Sequence, residues 1–340
     1  MKIKVFGLNS SKEYADKVCQ YLQISRSKHT SNHFDDGENY LKSNENVRDA
    51  DVFVISSLHS DEIQSVNEKL VELLWFVGSL RDASAGRITV VAPYLGYARQ
   101  DRKTESRAPI TTKYLAKVLE AVGVDRVLTI DVHNLASFQN SFRIPVDNLA
   151  ATRLFIDHLT GCPSFPRMIK DHYHRRKQEF LDLDLVVLSP DIGGMPRCGL
   201  FQRALAKRIS EICQRPPKEI PLAIFDKTRV DGEVRGSRII GNVKDKDVLI
   251  LDDLIASGST VAKAYDAVVS EGGRVYAICA THGQFTSKKL VADKSIIVTD
   301  TVTQIPVGFS NLDVISTIQF VGEAIQRTNS GGSISDLLEC

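Results

Sequence analysis

Residues 248–260 read VLILDDLIASGST, and the fold turns on this stretch. Val248 to Leu251 form an unbroken apolar run, the mark of a strand buried on both faces of a parallel sheet. Asp252 and Asp253 follow at its carboxyl end. Next come the small residues Ala256, Ser257, Gly258 and Ser259, and then Thr260 at the opening of a helix. Ligands of open α/β sheets bind outside the carboxyl ends of strands. Small side chains there let backbone N–H groups approach a phosphate, and a helix N-terminus adds unpaired donors and partial positive charge. The hydroxyls of Ser257, Ser259 and Thr260 offer more hydrogen bonds. A phosphate repels the two acids, so their natural partners are sugar hydroxyls or a cation. Phosphate on the loop and sugar on the acids describes a sugar phosphate. An ordinary strand–helix turn is the plain alternative, and the paired acids weigh against it.

The same alternation extends outward in both directions. Strands are expected at Lys2–Leu8, Asp51–Ser56, Ile88–Ala92, Arg126–Ile130, Leu185–Leu188, Pro221–Phe225, Val275–Ala280 and Ser295–Val298. Helical patterns lie between them at Leu70–Leu80, Thr111–Val122 and Thr260–Glu271, the last stopped by Gly272-Gly273. Alternating elements of this kind predict an α/β fold with mostly parallel sheets. At 340 residues the chain has room for two domains. The expected division is 1–149 and 150–327, with a tail, 328–340, docking on the first.

Composition narrows the function. Lys+Arg total 43 and Asp+Glu 42, so the net charge of +1 leaves no electrostatic footprint for nucleic acid. No apolar run is long enough to span a bilayer, and the start, MKIKVFGL, reads as a strand rather than a signal peptide. The six cysteines, Cys19, Cys162, Cys198, Cys213, Cys279 and Cys340, are scattered and form no CxxC pair. They read as reduced thiols of a cytoplasmic protein. The basic, polar segment 162–184, with His172, His174, Arg175, Arg176 and Lys177, reads as a solvated surface helix.

Other stretches carry chemistry. Arg99, Arg102, Lys103 and Arg107 crowd one loop after a buried strand, a charge density suited to polyphosphate. TIDVHN places His133 at another strand end, and SPDIGG places Asp191 and a glycine pair at a third. Asp191 suits Mg²⁺, directly or through water. Lys227 and Arg229 follow the strand PLAIF, where two cations on a loop could close over phosphates.

DDLIASGST resembles the phosphoribosyl-diphosphate motif, which type I phosphoribosyltransferases and ribose-phosphate diphosphokinases share, so it does not choose between them. The remaining motifs do. HFDDGE (33–38), YARQDRK with SRAPI (97–110), TIDVHN (129–134), SPDIGG (189–194), DKTR (226–229) and THGQF (281–285) resemble those of ribose-phosphate diphosphokinases, in that family's order. The resemblance implies two phosphoribosyltransferase-like domains, each a mostly parallel sheet flanked by helices. It implies transfer of the diphosphoryl group of ATP to O1 of ribose 5-phosphate, with Mg²⁺ as cofactor, in a homo-oligomer built from dimers into a hexamer. It further implies that ATP meets Phe34, Asp36, Gly37, Glu38, Arg99, Gln100, Asp101 and Arg107, and that His133 and Asp191 serve the metal. Lys227 and Arg229 would be catalytic. Ribose 5-phosphate would meet Arg229, Asp252, Asp253, Ala256, Ser257, Gly258, Ser259 and Thr260.

The chain departs from that pattern in places. Ala256 stands where an acid is usual, and SGST replaces a Thr-Gly-Gly-Thr-like loop. The stretches 149–189 and 210–221 are longer than usual, which fits surface insertions. Ser333 and Ser335, with Arg48, resemble a regulatory phosphate or ADP region. The departures leave two alternatives: a non-catalytic regulatory subunit of the same family, or a type I phosphoribosyltransferase.

Overall fold

The computed structural model describes the chain except for residues 162–179, 231–232, 288–290, 303–307 and 339–340. At 227–230 and 233–237 it describes the strand path without the side chains. The sequence readings of Cys162, Cys340 and the His/Arg cluster at 172–177 therefore lie outside the described residues.

The chain divides into two compact units. One holds Met1–Ala150, Thr301–Gln304 and Thr317–Glu339; the other holds Ala151–Asp300 and Ile305–Ser316. In the first unit, β1 (Ile3–Gly7) leads through a 3₁₀ turn (Asn9–Ser11) to α1 (Lys12–Leu22). A hairpin follows, β2 (His29–His33) and β3 (Asn39–Ser43). Then come β4 (Asp51–Ile55), α2 (Val66–Asp82), β5 (Arg87–Ala92), α3 (Thr111–Ala121), β6 (Arg126–Ile130), α4 (Leu135–Ser141) and β7 (Val146–Leu149). The main sheet is parallel, in the order β1-β4-β5-β6-β7. All residues of β4 are buried, as a strand covered on both faces requires. Its core includes Phe6, Val52, Val54, Phe76, Val90 and Leu119. Helix α2 starts on a capping box in which Ser65 and Glu68 satisfy each other's backbone N–H.

The second unit contains α5 (Thr152–Thr160), β8 (Leu185–Ser189), α6 (Met195–Cys213), β9 (Leu222–Val230), β10 (Glu233–Ile240), β11 (Asp247–Ile255), α7 (Ser259–Ser270), β12 (Arg274–Gly283), β13 (Ile296–Thr299) and β14 (Leu312–Ile315). Its sheet has the order β10-β9-β8-β11-β12-β13-β14. Only the β9–β10 pair is antiparallel. The chain leaves β8 for β9 on one side and returns as β11 on the other. A topological switch point therefore lies between β8 and β11, where open α/β sheets form their ligand crevice.

The closing elements are α8 (Ile318–Ser330) and α9 (Ser335–Leu338). Helix α8 packs on α1. The Tyr14 and Thr317 hydroxyls are hydrogen-bonded at 2.6 Å, Tyr21 donates to Glu323 at 3.0 Å, and the Tyr21 ring fills the space beside Gly322. The sequence reading ended the second domain at 327, inside this helix; these contacts keep the helix whole within the first unit. Among the described residues no helix is long and apolar enough to cross a membrane. Cys19, Cys198, Cys213 and Cys279 are free thiols, and burial pushes Cys198 and Cys279 up to about 12.

Candidate active site

In the second unit the switch point gathers one group of candidates. Strands β8 and β11 run side by side, Leu188 opposite Ile250, so SPDIGG and DDLIASGS leave neighbouring strand ends. β11 does not stop at Leu251 as expected. It continues to Ile255, pairing Asp252 with Ala280 and Leu254 with His282 of β12. The two acids thus lie within the strand rather than on the loop after it. Asp253 is buried and accepts from Arg197 at 3.2 Å; Asp252 is half-buried, and its Oδ1 accepts from the Asp253 N–H at 2.9 Å. Desolvation, and then the charge of Asp253, push the Asp252 carboxyl well above the ordinary range. Arg197 opposes that shift, whereas Asp191 adds to it, so all three carboxylates share one electrostatic environment.

After β8 the loop closes on itself. The Gly194 N–H donates to Asp191 Oδ1 at 3.0 Å, and the Ser189 hydroxyl donates to the Asp191 carbonyl at 2.7 Å. A Cβ on Gly194 would sit 2.6 Å from Ser189 Oγ, so the turn needs glycine there. After β11, residues 256–258 form the loop and α7 begins at Ser259, one residue earlier than expected. Gly258 has φ +81° and would drive a Cβ to 2.9 Å from Val291. The loop is held from behind by THGQF and the residue after it: the N–H groups of Gln284 and Thr286 donate to the carbonyls of Ile255 and Ala256, each at 2.9 Å. Ser257 Oγ donates to Ser259 Oγ at 3.2 Å. The N-terminus of α7 follows directly on this loop, and a helix N-terminus favours an anion.

Lys227 and Arg229 were expected on a loop. Their backbone instead continues β9, opposite Ser237 and Val234 of β10. β9 pairs with β8 only as far as Ile224 and then runs on to Val230, so this arm projects past the carboxyl end of β8.

The first unit holds two further groups. Arg99, Gln100, Asp101 and Arg107 sit on the loop after β5, where Arg99, Gln100 and Arg107 are exposed. Asp101 accepts from Asn134 Nδ2 at 2.6 Å, and its carbonyl accepts from Ser137 at 3.2 Å. Asn134 also caps α4, its side chain accepting from the Ser137 N–H. This junction holds the basic loop against the strand end that carries the exposed His133. Phe34, Asp36, Gly37 and Glu38 form the tip of the β2–β3 hairpin. The Phe34 N–H donates to the Glu38 carbonyl, the Glu38 N–H donates to Asp36, and Gly37 supplies a positive φ. Among the described residues no hydrogen bond or ion pair joins this tip to residues 99–107.

Sequence reasoning missed Arg197 and Asn134. Arg197 stands three residues beyond the Gly pair, in the first turn of α6, the one signal that could have marked it.

A family model described as the N-terminal domain of ribose phosphate pyrophosphokinase matches residues 3–123, and a phosphoribosyl transferase domain matches residues 168–313. Ribose-phosphate pyrophosphokinase of Rhizobium meliloti is 37% identical over 99% of this chain and 100% of that protein. Ribose-phosphate pyrophosphokinase 1 of Streptococcus agalactiae is 38% identical over 99% of this chain and 97% of its own. The solved phosphoribosylpyrophosphate synthetase of Mycobacterium smegmatis has TM-score 0.80 and 28% identity, covering 98% of this chain and 100% of that one. A type I transferase would account for the second of the matched segments alone. With both domain types present, and relatives of that one name aligned from end to end, the chain belongs to the ribose-phosphate pyrophosphokinase family.

Proposed function

We propose that this chain transfers the β,γ-diphosphoryl group of ATP to the anomeric hydroxyl of ribose 5-phosphate, giving 5-phosphoribosyl 1-diphosphate and AMP. One observation carries this reading above the others. The sugar-phosphate loop lies at the switch point of one unit, and a separate cation-rich loop lies at a strand end of the other. A phosphoribosyltransferase takes its diphosphate on the sugar it binds at the first and calls for no second loop to hold a nucleoside triphosphate.

In this reading Arg99, Gln100, Asp101 and Arg107 hold ATP, with Phe34, Asp36, Gly37 and Glu38 on the adenine. Residues 256–260 hold the 5-phosphate, and Asp252 and Asp253 accept from the ribose hydroxyls. Ribose O1 attacks the β-phosphorus, the bond from that phosphorus to the α–β bridging oxygen breaks, AMP leaves, and the O1 proton is lost. Lys227 and Arg229 neutralise charge as it develops, so catalysis rests on alignment and electrostatics. Ala256 offers no carboxylate, so no side chain there serves as a base.

The reaction calls for Mg²⁺, which takes oxygen ligands and is commonly held by one or two carboxylates together with substrate phosphates. Asp191 and Asp252 fit that habit: they are oxygen donors at neighbouring strands, and a cation would offset both the desolvation and the repulsion from Asp253 that raise Asp252. Among the described residues no three metal-ligating side chains converge, so the substrate phosphates would complete the shell, and His133 would face the nucleotide side. When bound, the ion neutralises phosphate charge and acidifies O1.

We further propose a homo-oligomer, built from dimers into a hexamer; pairs of exposed apolar residues support self-association as such. Val71 and Trp75 lie one turn apart on α2, as do Tyr114 and Val118 on α3. We place the enzyme in the cytoplasm, where its reduced cysteines and ATP belong.

Incubation with Mg²⁺, ATP and ribose 5-phosphate, followed by phosphorus NMR, tests the reading. AMP and a diphosphorylated sugar phosphate should form in equal amounts. ADP with a singly phosphorylated product, or no turnover, would overturn it.

A further inference from the structure

Among the described residues the β2–β3 hairpin has no strand partner in the main sheet. A two-stranded hairpin alone is marginal in water, so its orientation must come from what it rests on. It rests on α2. Strand alternation sends His29, Ser31 and His33 to one face, and that face meets the helix. The His29 ring packs against Phe76 at 5.2 Å between centroids, and Leu41, opposite Ser31 on β3, enters the core. Ser31 Oγ donates to Glu72 at 3.2 Å, and His33 Nε2 lies 3.7 Å from the same carboxylate oxygen.

Glu72 is wholly buried. Its other oxygen accepts from Gln64 Nε2 at 3.0 Å. Gln64 is itself fixed, because Asp61 accepts from the N–H groups of Ile63 and Gln64 and pairs with the buried Lys69. A chain of polar contacts thus runs from Lys69 through Asp61, Gln64 and Glu72 to Ser31 and His33, and His33 precedes Phe34 at the tip. A buried carboxylate costs stability unless every contact is made, and such networks enforce one geometry.

We propose that Glu72 is a positioning residue for nucleotide binding: it fixes the hairpin so that Phe34, Asp36 and Glu38 are presented in one orientation. The proposal rests on the reading that this tip touches ATP. Glu72 touches no substrate and acts only through Ser31 and His33.

The test acts on the hairpin side, where the helix core is left intact. The double variant Ser31→Ala/His33→Ala removes both contacts to Glu72. It should raise the KM for ATP about tenfold, the scale of one charge-assisted hydrogen bond, and leave kcat and the KM for ribose 5-phosphate within about twofold. Ser31→Thr, which keeps the hydroxyl, should retain the parent KM. Phe34→Ala serves as the control on the underlying reading. If Phe34→Ala leaves the KM for ATP unchanged, the hairpin does not touch nucleotide and that reading fails. If Phe34→Ala raises it but the double variant does not, Glu72 is structural only and the proposal is overturned. A parallel fall in kcat and both KM-derived efficiencies in the double variant would overturn it as well.

Discussion

Asp252 and Asp253 put two carboxylates on consecutive residues at the end of a buried strand, and the protein supplies a guanidinium, Arg197, to the second of them. Asp253 holds the guanidinium, while desolvation and then the charge of Asp253 push Asp252 toward the protonated form. Arg197→Met should leave both acids to repel each other, and breaking such a pair costs more than forming it gains. The expected result is a KM for ribose 5-phosphate raised roughly 10–100-fold with the KM for ATP little changed, read from initial rates against each substrate. Lys227 is a different kind of residue, since the proposed role places it on charge that appears only as the phosphoryl group moves. Lys227→Ala should therefore lower kcat on the order of 10²–10³-fold while ribose 5-phosphate binding, measured by calorimetry, stays near the parent value. Residues like Asp252 and Asp253 were legible because two adjacent acids after an apolar run have few structural excuses. Arg197 was not legible, because an arginine in the first turn of a helix looks like any solvated one until the partner strand is in place.

At the scale of elements, the loop between β11 and α7, proposed to hold the 5-phosphate, depends on Gly258. Its φ of +81° is open to glycine and strained for other residues, and its neighbour Val291 is fully buried. Gly258→Ala should cost about 1–2 kcal/mol from backbone conformation alone and displace the loop, so that weaker ribose 5-phosphate binding accompanies a lower melting temperature. The hairpin offers a pH test. His29 lies against Phe6 and Phe76 with both ring nitrogens buried and without hydrogen-bond partners, and desolvation, then Lys12 and Arg26, lower its pKa to about 4 from 6.5. Above pH 6.5 the ring is neutral in both folded and unfolded chains. Between 6.5 and 4 the unfolded chain takes up a proton that the folded one refuses, so stability falls with pH through this window and falls no further below it. His29→Leu should remove about 1 kcal/mol of that loss at pH 5, allowing for water at the ring edge, as read from urea midpoints at pH 7.5 and 5. The buried parallel strands, such as Asp51–Ile55 and Leu185–Ser189, were readable from continuous apolar runs. Strands β2 (HTSNH) and β3 (NYLKS) were not, because they are polar and take their structure from α2. β9 ran longer than its apolar residues because β10 pairs with the polar remainder.

At the scale of the whole molecule, the chain does not finish where its second unit finishes. Helix α8 returns to the first unit and covers α1, burying Phe320, Val321 and Ile325 completely or nearly so. At about 2 kcal/mol for each such side chain the helix contributes roughly 6 kcal/mol, comparable with the whole stability of a domain. The tail beyond α8 is held more lightly: Leu337 is buried, and its carbonyl accepts from the Ala150 N–H. Before the helix turns into that tail, Arg87 donates to the Thr328 carbonyl at 2.9 Å, and Asn329 donates to the buried Asp51 at 2.8 Å. Two truncations separate these contributions. A chain ending at Ser330 keeps the helix and both clamps and should fold with a modestly lower melting temperature. A chain ending at Ser316 loses the cover of α1 and should be insoluble or melt without a cooperative transition. Trp75 is the only tryptophan in the chain and lies on α2 of the first unit, so its fluorescence reports on the unit at risk. A cooperative melt of the shorter chain at the parent temperature would mean that the helix is an appendage. A collapse reported by the Trp75 signal would mean that the first unit is completed only when α8 has been made.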